Sequence, residues 1–420
     1  MTPSSHPPGA APPSGPLSAG PLSGVRVLDL TSVVLGPLAT QILGDFGADV
    51  IKVETLEGDL MRANGVSRHR GMSSIFLALN RNKRSLSIDL KTAAGLDALK
   101  QLLTGVDVLV HNMRVAAIER LGLGYAAVAA LNPKIVYCVA TGFGQEGPDA
   151  DRPAFDDVIQ AACGMASLIG HERAAPDFAP TLMADKTTGL ALVNAVLAAL
   201  FHRQRSGQGQ YVEVPMLETM VAFTLAEHLG GLTFEPPTAK AGYARILAGG
   251  RKPAPTRDGH VAMLPYTADH WKALFASIGR ADLAAKYDLN DRVQRNARVA
   301  ELYADMVSVT REMSSAECLA LCERLDIPAT RIYGIDELPA HPHLQAVGLF
   351  EALAHPSEGA TITVRPPTRF GATPASVRLP APRLGQQSFE VLREAGIDAA
   401  TLERLRGAGV SRQAPAIDSG

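Results

Sequence analysis

Val25-Arg-Val-Leu-Asp-Leu30, Thr31-Ser-Val-Val-Leu-Gly36-Pro37 and Asp49-Val-Ile-Lys-Val-Glu54 together decide the fold. The first and last are short β-branched and aliphatic runs, the composition of buried strands. Between them Gly36-Pro37 opens a helix, with Pro in the first turn where its missing N–H costs nothing, and the pattern carries that helix to Gly47. Strand, helix, strand in this span is the size of a right-handed βαβ crossover. Working outward, strands are expected at Ser85–Leu90, Asp107–Val110 and Lys134–Thr141, with helices at Thr92–Leu103 and Ala116–Arg120 between them. Such alternation predicts an open α/β domain whose parallel sheet is covered on both faces.

Further along, an apolar helix follows Asp185 and runs to Arg203; being apolar nearly all round, it is expected to be buried. Ser206-Gly-Gln-Gly-Gln210 ends it, and Tyr211-Val-Glu-Val-Pro215 reads as a strand stopped by proline. The character shifts between Ala226 and Tyr333, where a hairpin around Arg257-Asp-Gly259 and helices at Ala268–Ile278 and Ser315–Leu325 predict a smaller α+β domain. Prolines 366, 367, 374, 380 and 382 then mark an extended segment before a last helix, Ser388–Ala395. Residues 1–25 carry no Asp, Glu, Lys or Arg and seven prolines fall within the first 21, so 1–23 is expected to be a disordered tail. Residues 411–420 are expected to be a flexible one.

The 420 residues carry 40 Lys+Arg against 42 Asp+Glu, a net charge of −2, which excludes a general nucleic-acid binder dependent on a basic excess. The hydrophobic share of 46% and charged share of 20% are those of a soluble globular protein. No stretch looks long and apolar enough for a membrane span, since Gly189–Phe201 is short and carries Asn194. The start lacks the basic and apolar regions of a signal peptide, so a cytoplasmic protein is expected. Four cysteines make no disulfide framework; Cys318 and Cys322 share a helical spacing without a second ligand pair, so no metal site is expected.

The turn after the first strand lacks the G-x-G-x-x-G that brings a backbone onto a pyrophosphate, although Glu54 ends the second strand where a ribose-binding acid would sit. No G-x-S-x-G elbow, P-loop or H-E-x-x-H occurs. Between Asp59 and Asp89 there is no acid, yet Arg62, Arg68, Arg70, Arg81, Lys83 and Arg84 are present, a run able to focus a small anion or simply to coat a loop. Asp185, just ahead of the long helix, reads either as an N-cap or as a carboxylate nucleophile, ionised at neutral pH without a partner base.

Several stretches in order resemble the class III CoA-transferase family, which includes formyl-CoA and carnitine CoA-transferases and α-methylacyl-CoA racemases. They are Gly24–Thr31, Gly36–Glu54, Asn80–Lys91, Asp107–Asn112, Thr141–Pro148, Arg152–Asp156, Ala184–Gly189, His341-Pro-His-Leu and Arg365-Pro-Pro-Thr-Arg. The resemblance implies a Rossmann-like, open parallel-sheet large domain, discontinuous over 24–225 plus 334–410, with a small α+β domain (226–333) inserted. It implies an interlocked homodimer with no nucleic-acid or membrane partner. The family's nucleophile falls on Asp185, and Asp156 would help position the site. CoA contacts fall on Val33, Val34, Lys91, Asn112, Met113 and Arg120, with Lys83 and Arg84 beside them. Phe155, Gly249 and Gly250 would meet the substrate.

Three positions depart from the family's pattern. A glutamine of some relatives is Val34, the glycine-rich substrate loop shrinks to Gly249-Gly250 before Arg251, and the racemase His that precedes an Asp is Phe155. A racemase needs acid/base groups on both faces of the α-carbon, and phenylalanine supplies none. The expected activity is therefore CoA transfer between two carboxylic acids, with acyl-CoA as substrate and no resident cofactor. A 2-methylacyl-CoA racemase and a non-catalytic acyl-CoA-binding protein are the alternatives.

Overall fold

The computed structural model describes residues 20–173, 175–249 and 251–415. The chain forms β1 (Arg26–Leu30), β2 (Asp49–Glu54), β3 (Lys83–Ile88), β4 (Val108–His111), β5 (Val136–Thr141) and β6 (Gln210–Pro215). It continues with β7 (Ala254–Thr256), β8 (Gly259–Met263) and β9 (Ala329–Arg331), then β10 (Phe350–His355), β11 (Gly359–Val364) and β12 (Ser411–Arg412). Seven of these build one sheet in the order β12-β3-β2-β1-β4-β5-β6. Its six N-terminal strands are mutually parallel; β12 alone runs antiparallel, pairing Ser411 with Ile88 and Arg412 with Ser87. Strand order thus reverses direction between β1 and β4, the switch point where a crevice opens at the carboxyl ends of the strands.

The helix expected from Gly36 spans Leu35–Asp45. Gly36 is there for space, since a Cβ on it would lie 2.3 Å from the Thr31 side chain. Gly189 plays the same part where the Met183–Ser206 helix crosses Leu35–Asp45: its Cβ would lie 2.8 Å from the Leu35 carbonyl oxygen. On one face of the sheet Leu28, Ile51, Leu86 and Leu109 join Leu99, Leu102, Ile118 and the C-terminal Val391, Leu392 and Leu405 in a continuous core. The central strands are buried on both faces, as parallel sheets require, although β1, β2 and β3 carry the buried polar side chains Asp29, Lys52, Glu54, Lys83, Ser85 and Ser87 as well as aliphatic ones.

Two compact units emerge. Among the described residues one comprises 20–163, Pro180–Met220 and 348–415; the other comprises those of Gly164–Ala179 and Val221–Val347. The second therefore takes in a segment ahead of Pro180 and extends past Tyr333. It holds the antiparallel sheet β7-β8-β9 over a core of Trp271, Phe275, Tyr303, Cys318 and Cys322.

Some expectations need correction. The chain is not a flexible tail from 411: Ser411 donates its hydroxyl to the Ser87 carbonyl at 2.8 Å, and β12 covers the β3 edge. Residues 416–420, like 1–19, lie outside the described residues. From Gly20 the backbone is already docked, with the Leu22 N–H on the Phe46 carbonyl at 2.8 Å. The long helix, Met183–Ser206, is only half buried, and its length and composition alone would let it cross a membrane. Ala184, Leu192, Val193 and Val196 are buried, while Leu190 and Phe201 face outward.

Candidate functional site

The crevice predicted by the strand reversal is a cleft of about 300 Å³. Ser32–Leu35 from the end of β1, Asn112–Val115 from the end of β4 and Ala140–Gly142 from the end of β5 form its walls. Leu60, Arg152, Ala154, Phe155 and Asp185 also line it. The two switch-point loops are stitched together through one side chain. Asn112 accepts the Ser32 N–H at 3.0 Å and donates to the Ser32 carbonyl at 2.8 Å. Val33 then turns with φ +72, a left-handed conformation that is unusual for a β-branched residue. Such geometry costs about 1–2 kcal/mol and persists where the surroundings over-determine it. Val34 follows at the head of the Leu35–Asp45 helix, whose first turn has no side-chain cap. The helix thus begins at the cleft wall with its positive end uncovered by any side chain.

Asp185 is not an N-cap. It lies in the first turn of Met183–Ser206, whose N-cap is Leu182. The capping carboxylate comes from elsewhere: Asp156 accepts the Asp185 backbone N–H at 2.9 Å and is itself bonded by the Gln160 amide. Burial, then the nearby Asp156 charge, pushes the Asp185 carboxyl up to about 6. At neutral pH it is still mostly ionised, and more basic than a free aspartate. That is the state a carboxylate nucleophile needs.

Phe155 presents a ring that is 67% exposed and lines the cleft, where the aligned racemase residue would be a base. His111, beside Asn112, is no substitute: it is buried against Tyr137 at 5.2 Å, and burial pushes it down to about 4. Among the cleft-lining residues the titratable groups are Asp185, Arg114 and Arg152. Sequence reasoning passed over both arginines. Arg152 stood in a quoted motif, and Arg114 follows the Asn112-Met113 pair, but neither belonged to the basic run that drew attention.

That basic run is where structure and expectation part. Lys83 is fully buried, and its ammonium donates to Asp29 at 3.0 Å, the Pro37 carbonyl at 3.0 Å and Asn80 at 2.8 Å. Its three donors are spent, and burial lowers it to about 8. Arg84 is held by Asp49, Glu390 and Glu394. Arg62 forks onto Glu54 with its guanidinium 3.7 Å from the Phe76 ring centre, and Arg81 bonds Asp45. Neither Lys83 nor Arg84 lines the cleft. Lys91 and Arg120 are exposed and also outside its lining, whereas Val33, Val34, Asn112 and Met113 are in it. Gly249 belongs to the second unit and is exposed; Gly250 lies outside the described residues.

A model of the family described as CoA-transferase family III matches residues 22–388. The chain belongs to CoA-transferase family III. It is 34% identical to a succinate–glutarate CoA-transferase of Agrobacterium fabrum over 381 residues, 89% of this chain and 95% of that one. It is 31% identical to a succinyl-CoA:mesaconate CoA-transferase of Haloarcula marismortui, over 90% and 98% of the two chains. Among solved structures, a CAIB/BAIF family protein from Brucella suis superposes with a TM-score of 0.76 at 28% identity, covering 90% of this chain and all of that one. Family III enzymes are CoA-transferases, so the chain is an enzyme acting on CoA thioesters, with an α/β fold shared by its CAIB/BAIF relatives.

Proposed function

We propose that this CoA-transferase moves CoA from an acyl-CoA to a short dicarboxylic acid, with Asp185 as the nucleophile. One observation carries the reading: the Asp185 carboxylate lines the switch-point cleft with its basicity raised to about 6. The aspartate oxygen attacks the thioester carbonyl, the C–S bond breaks, and an aspartyl–acyl anhydride and CoA thiolate result. The thiolate attacks the aspartyl carbonyl, expelling the donor acid as carboxylate and leaving an aspartyl–CoA thioester. The acceptor carboxylate attacks that thioester, giving a new anhydride and thiolate. The thiolate then takes the acyl group and frees Asp185. Every step exchanges one acyl bond for another, so no electron leaves the system and no resident cofactor is needed.

The acceptor class rests on two supports. The relatives' names cite succinate, glutarate and mesaconate, all short dicarboxylates. In this chain Arg152 lines the same cleft as Asp185, a cation suited to a distal carboxylate. Arg114, beside Asn112, suits a CoA phosphate. Phe155 and the absence of a second base among the lining residues speak against the racemase reading.

The assembly belongs to the same reading. An interlocked homodimer, a small α+β domain inserted into a Rossmann-like one, and Gly249-Gly250 meeting the oxyanion are expected by family likeness. Outward-facing Leu190 and Phe201 on the long helix, and Ile362 and Val364 on β11, provide apolar surface for a second copy. The described cysteines, all free and buried, suit a reducing cytoplasm.

Hydroxylamine added with succinyl-CoA tests the nucleophile. Mass spectrometry is expected to find a hydroxamate on Asp185; a label elsewhere, or none while transfer proceeds, rejects it.

A further inference from the structure

The strained turn at Val33 sits on a buried ionic scaffold that no step of the transfer reaction uses. Val33 donates its N–H to Asp59 Oδ1 at 3.2 Å. The other oxygen of Asp59 accepts Lys52 Nζ at 2.8 Å, and Lys52 donates also to the Thr31 carbonyl at 2.9 Å. Both side chains are essentially sealed from solvent. One carboxylate and one ammonium therefore grip the backbone on either side of Ser32, two residues apart.

The scaffold is anchored in turn. The Asp59 N–H donates to Glu54 Oε2 at 3.1 Å, and Glu54 is forked by Arg62 at 2.7 Å on each oxygen and bonded by the Ser85 hydroxyl at 2.6 Å. Asp59 also caps the turn Leu60–Arg62, accepting the Met61 N–H at 2.9 Å. Leu60, the first residue of that turn, lines the cleft. Asp59 thus sets two cleft walls at once, Val33 through its N–H and Leu60 through the capped turn.

We propose that the Lys52–Asp59 pair is a positioning device, holding Val33 left-handed so that the Val33-Val34 backbone and Leu60 present a fixed face to the CoA portion of the substrate. Neither residue touches substrate; both act through Thr31, Val33 and Leu60. Three features support this over ordinary core packing. A valine at positive φ gains nothing locally from that conformation. Asn112 ties Ser32 but leaves the Val33 N–H to Asp59 alone. Removing either charge takes away the buried partner's direct ion-pair contact, leaving Lys52 only its bond to the Thr31 carbonyl and the fields of Asp29 and Glu54. The inference rests on the proposal that the cleft takes acyl-CoA.

The full-length enzyme is compared with Asp59→Asn and Lys52→Met, each checked for native circular dichroism and Tm. Steady-state transfer from succinyl-CoA to glutarate and calorimetric titration with CoA are the readouts. Both variants are expected to raise KM for succinyl-CoA about tenfold and weaken CoA binding equally, with kcat changed less than threefold and KM for glutarate unmoved. Val33→Gly, added to Asp59→Asn, is expected to recover most of the lost CoA affinity, because glycine enters the left-handed region without the clamp. Unchanged KM in a folded Asp59→Asn, or a loss that Val33→Gly does not repair, overturns the clamp. Should both single variants fail to fold, the wild-type background serves: the crystal structure with CoA must show the Val33 turn against the ligand, and a ligand elsewhere overturns it. A wild-type enzyme that transfers no CoA and binds none overturns the functional reading together with the clamp, whereas transfer with unaffected variants sinks the clamp alone.

Discussion

The molecule's charges fall into two regions that look alike in composition and differ in what surrounds them. Beneath the sheet's switch point Asp29, Lys52, Asp59, Glu54, Arg62 and Lys83 are buried and multiply bonded to one another. Burial opposes the Asp29 charge, but the fields of Lys83 and Lys52 and the Thr31 and Thr40 hydroxyls outweigh it and hold its carboxyl below the usual range. In the cleft, Asp185 has a carboxyl raised by burial, with Asp156 adding repulsion, while Arg114 and Arg152 line the same space. The first region is electrostatically complete, and the second is completed by an anionic ligand. Saturation, not the sign or density of charge, separates structural from functional ions here.

The largest expected effect breaks the two regions apart at Asp185. Asp185→Asn should lower transfer by at least about a thousandfold, as loss of a nucleophile does, while raising stability. Its carboxyl is harder to ionise folded than unfolded, so ionisation costs stability that is absent below about pH 4 and fully incurred above about pH 6. The shift corresponds to at most about 3 kcal/mol. A thermal melt at pH 7.5 should show a higher Tm for Asp185→Asn, and a lower one would mean that the carboxylate is a structural member like Asp29.

Lys83→Met tests the other side. Lys83 is the direct ion-pair partner of buried Asp29, and its removal leaves Asp29 only the Lys52 field and the Thr31 and Thr40 donors, costing up to about 3–5 kcal/mol. Denaturant unfolding should show that loss, while KM for succinyl-CoA in the protein that remains folded stays within about twofold. A selective rise in KM would return Lys83 to the ligand.

This division was only partly legible in the sequence. The strands and helices of the sheet were, because aliphatic runs and the Gly36-Pro37 start are local signals: β2 is found at Asp49–Glu54, as the pattern predicts. Asp185 was legible as a candidate nucleophile from its place ahead of the long helix, whereas Asn112 and the Val33-Val34 pair came from resemblance; all four sit in the cleft. The basic run misled because its acids are distant in sequence: Glu390 and Glu394 lie some 300 residues from Arg84. Counting charge along the chain cannot see a partner supplied by the C-terminal helix. Strand β12 was missed because a two-residue edge strand has no periodicity to read, whereas the helix Ala399–Gly407 does carry local signals, an Asp398 cap and Leu402 and Leu405 on one face, that could have found it. Asp156 as the distant cap of the Asp185 helix is likewise a tertiary fact.

The pH profile sharpens the comparison at smaller scale. With Asp185 near 6, kcat/KM for succinyl-CoA should be flat above about pH 7 and fall about tenfold per pH unit well below 6. Burial dominates the shift and Asp156 adds to it. Asp156→Asn should therefore move the midpoint down; a midpoint near 4 in the wild type would show that the cleft leaves Asp185 solvated.

The finest test sets Arg152 of the cleft against Arg84, an arginine of the basic run that the structure has already paired. Arg152 pairs with Asp149 at 3.1 Å on an open surface, a contact of little worth that a substrate carboxylate can replace. Arg152→Met should raise KM for glutarate about tenfold and leave a monocarboxylate acceptor nearly unaffected, because only the distal charge loses its partner. Arg84 is already shared among Asp49, Glu390 and Glu394, and Arg26 bonds both Asp49 and Glu394 as well. When Arg84 becomes Met, those carboxylates keep Arg26 and gain water, so stability should fall by about 1 kcal/mol or less. KM for succinyl-CoA should stay within about twofold. If Arg84→Met weakens CoA binding as much as Arg152→Met weakens glutarate, charge saturation is the wrong criterion and the basic run of residues 62–84 belongs to the site.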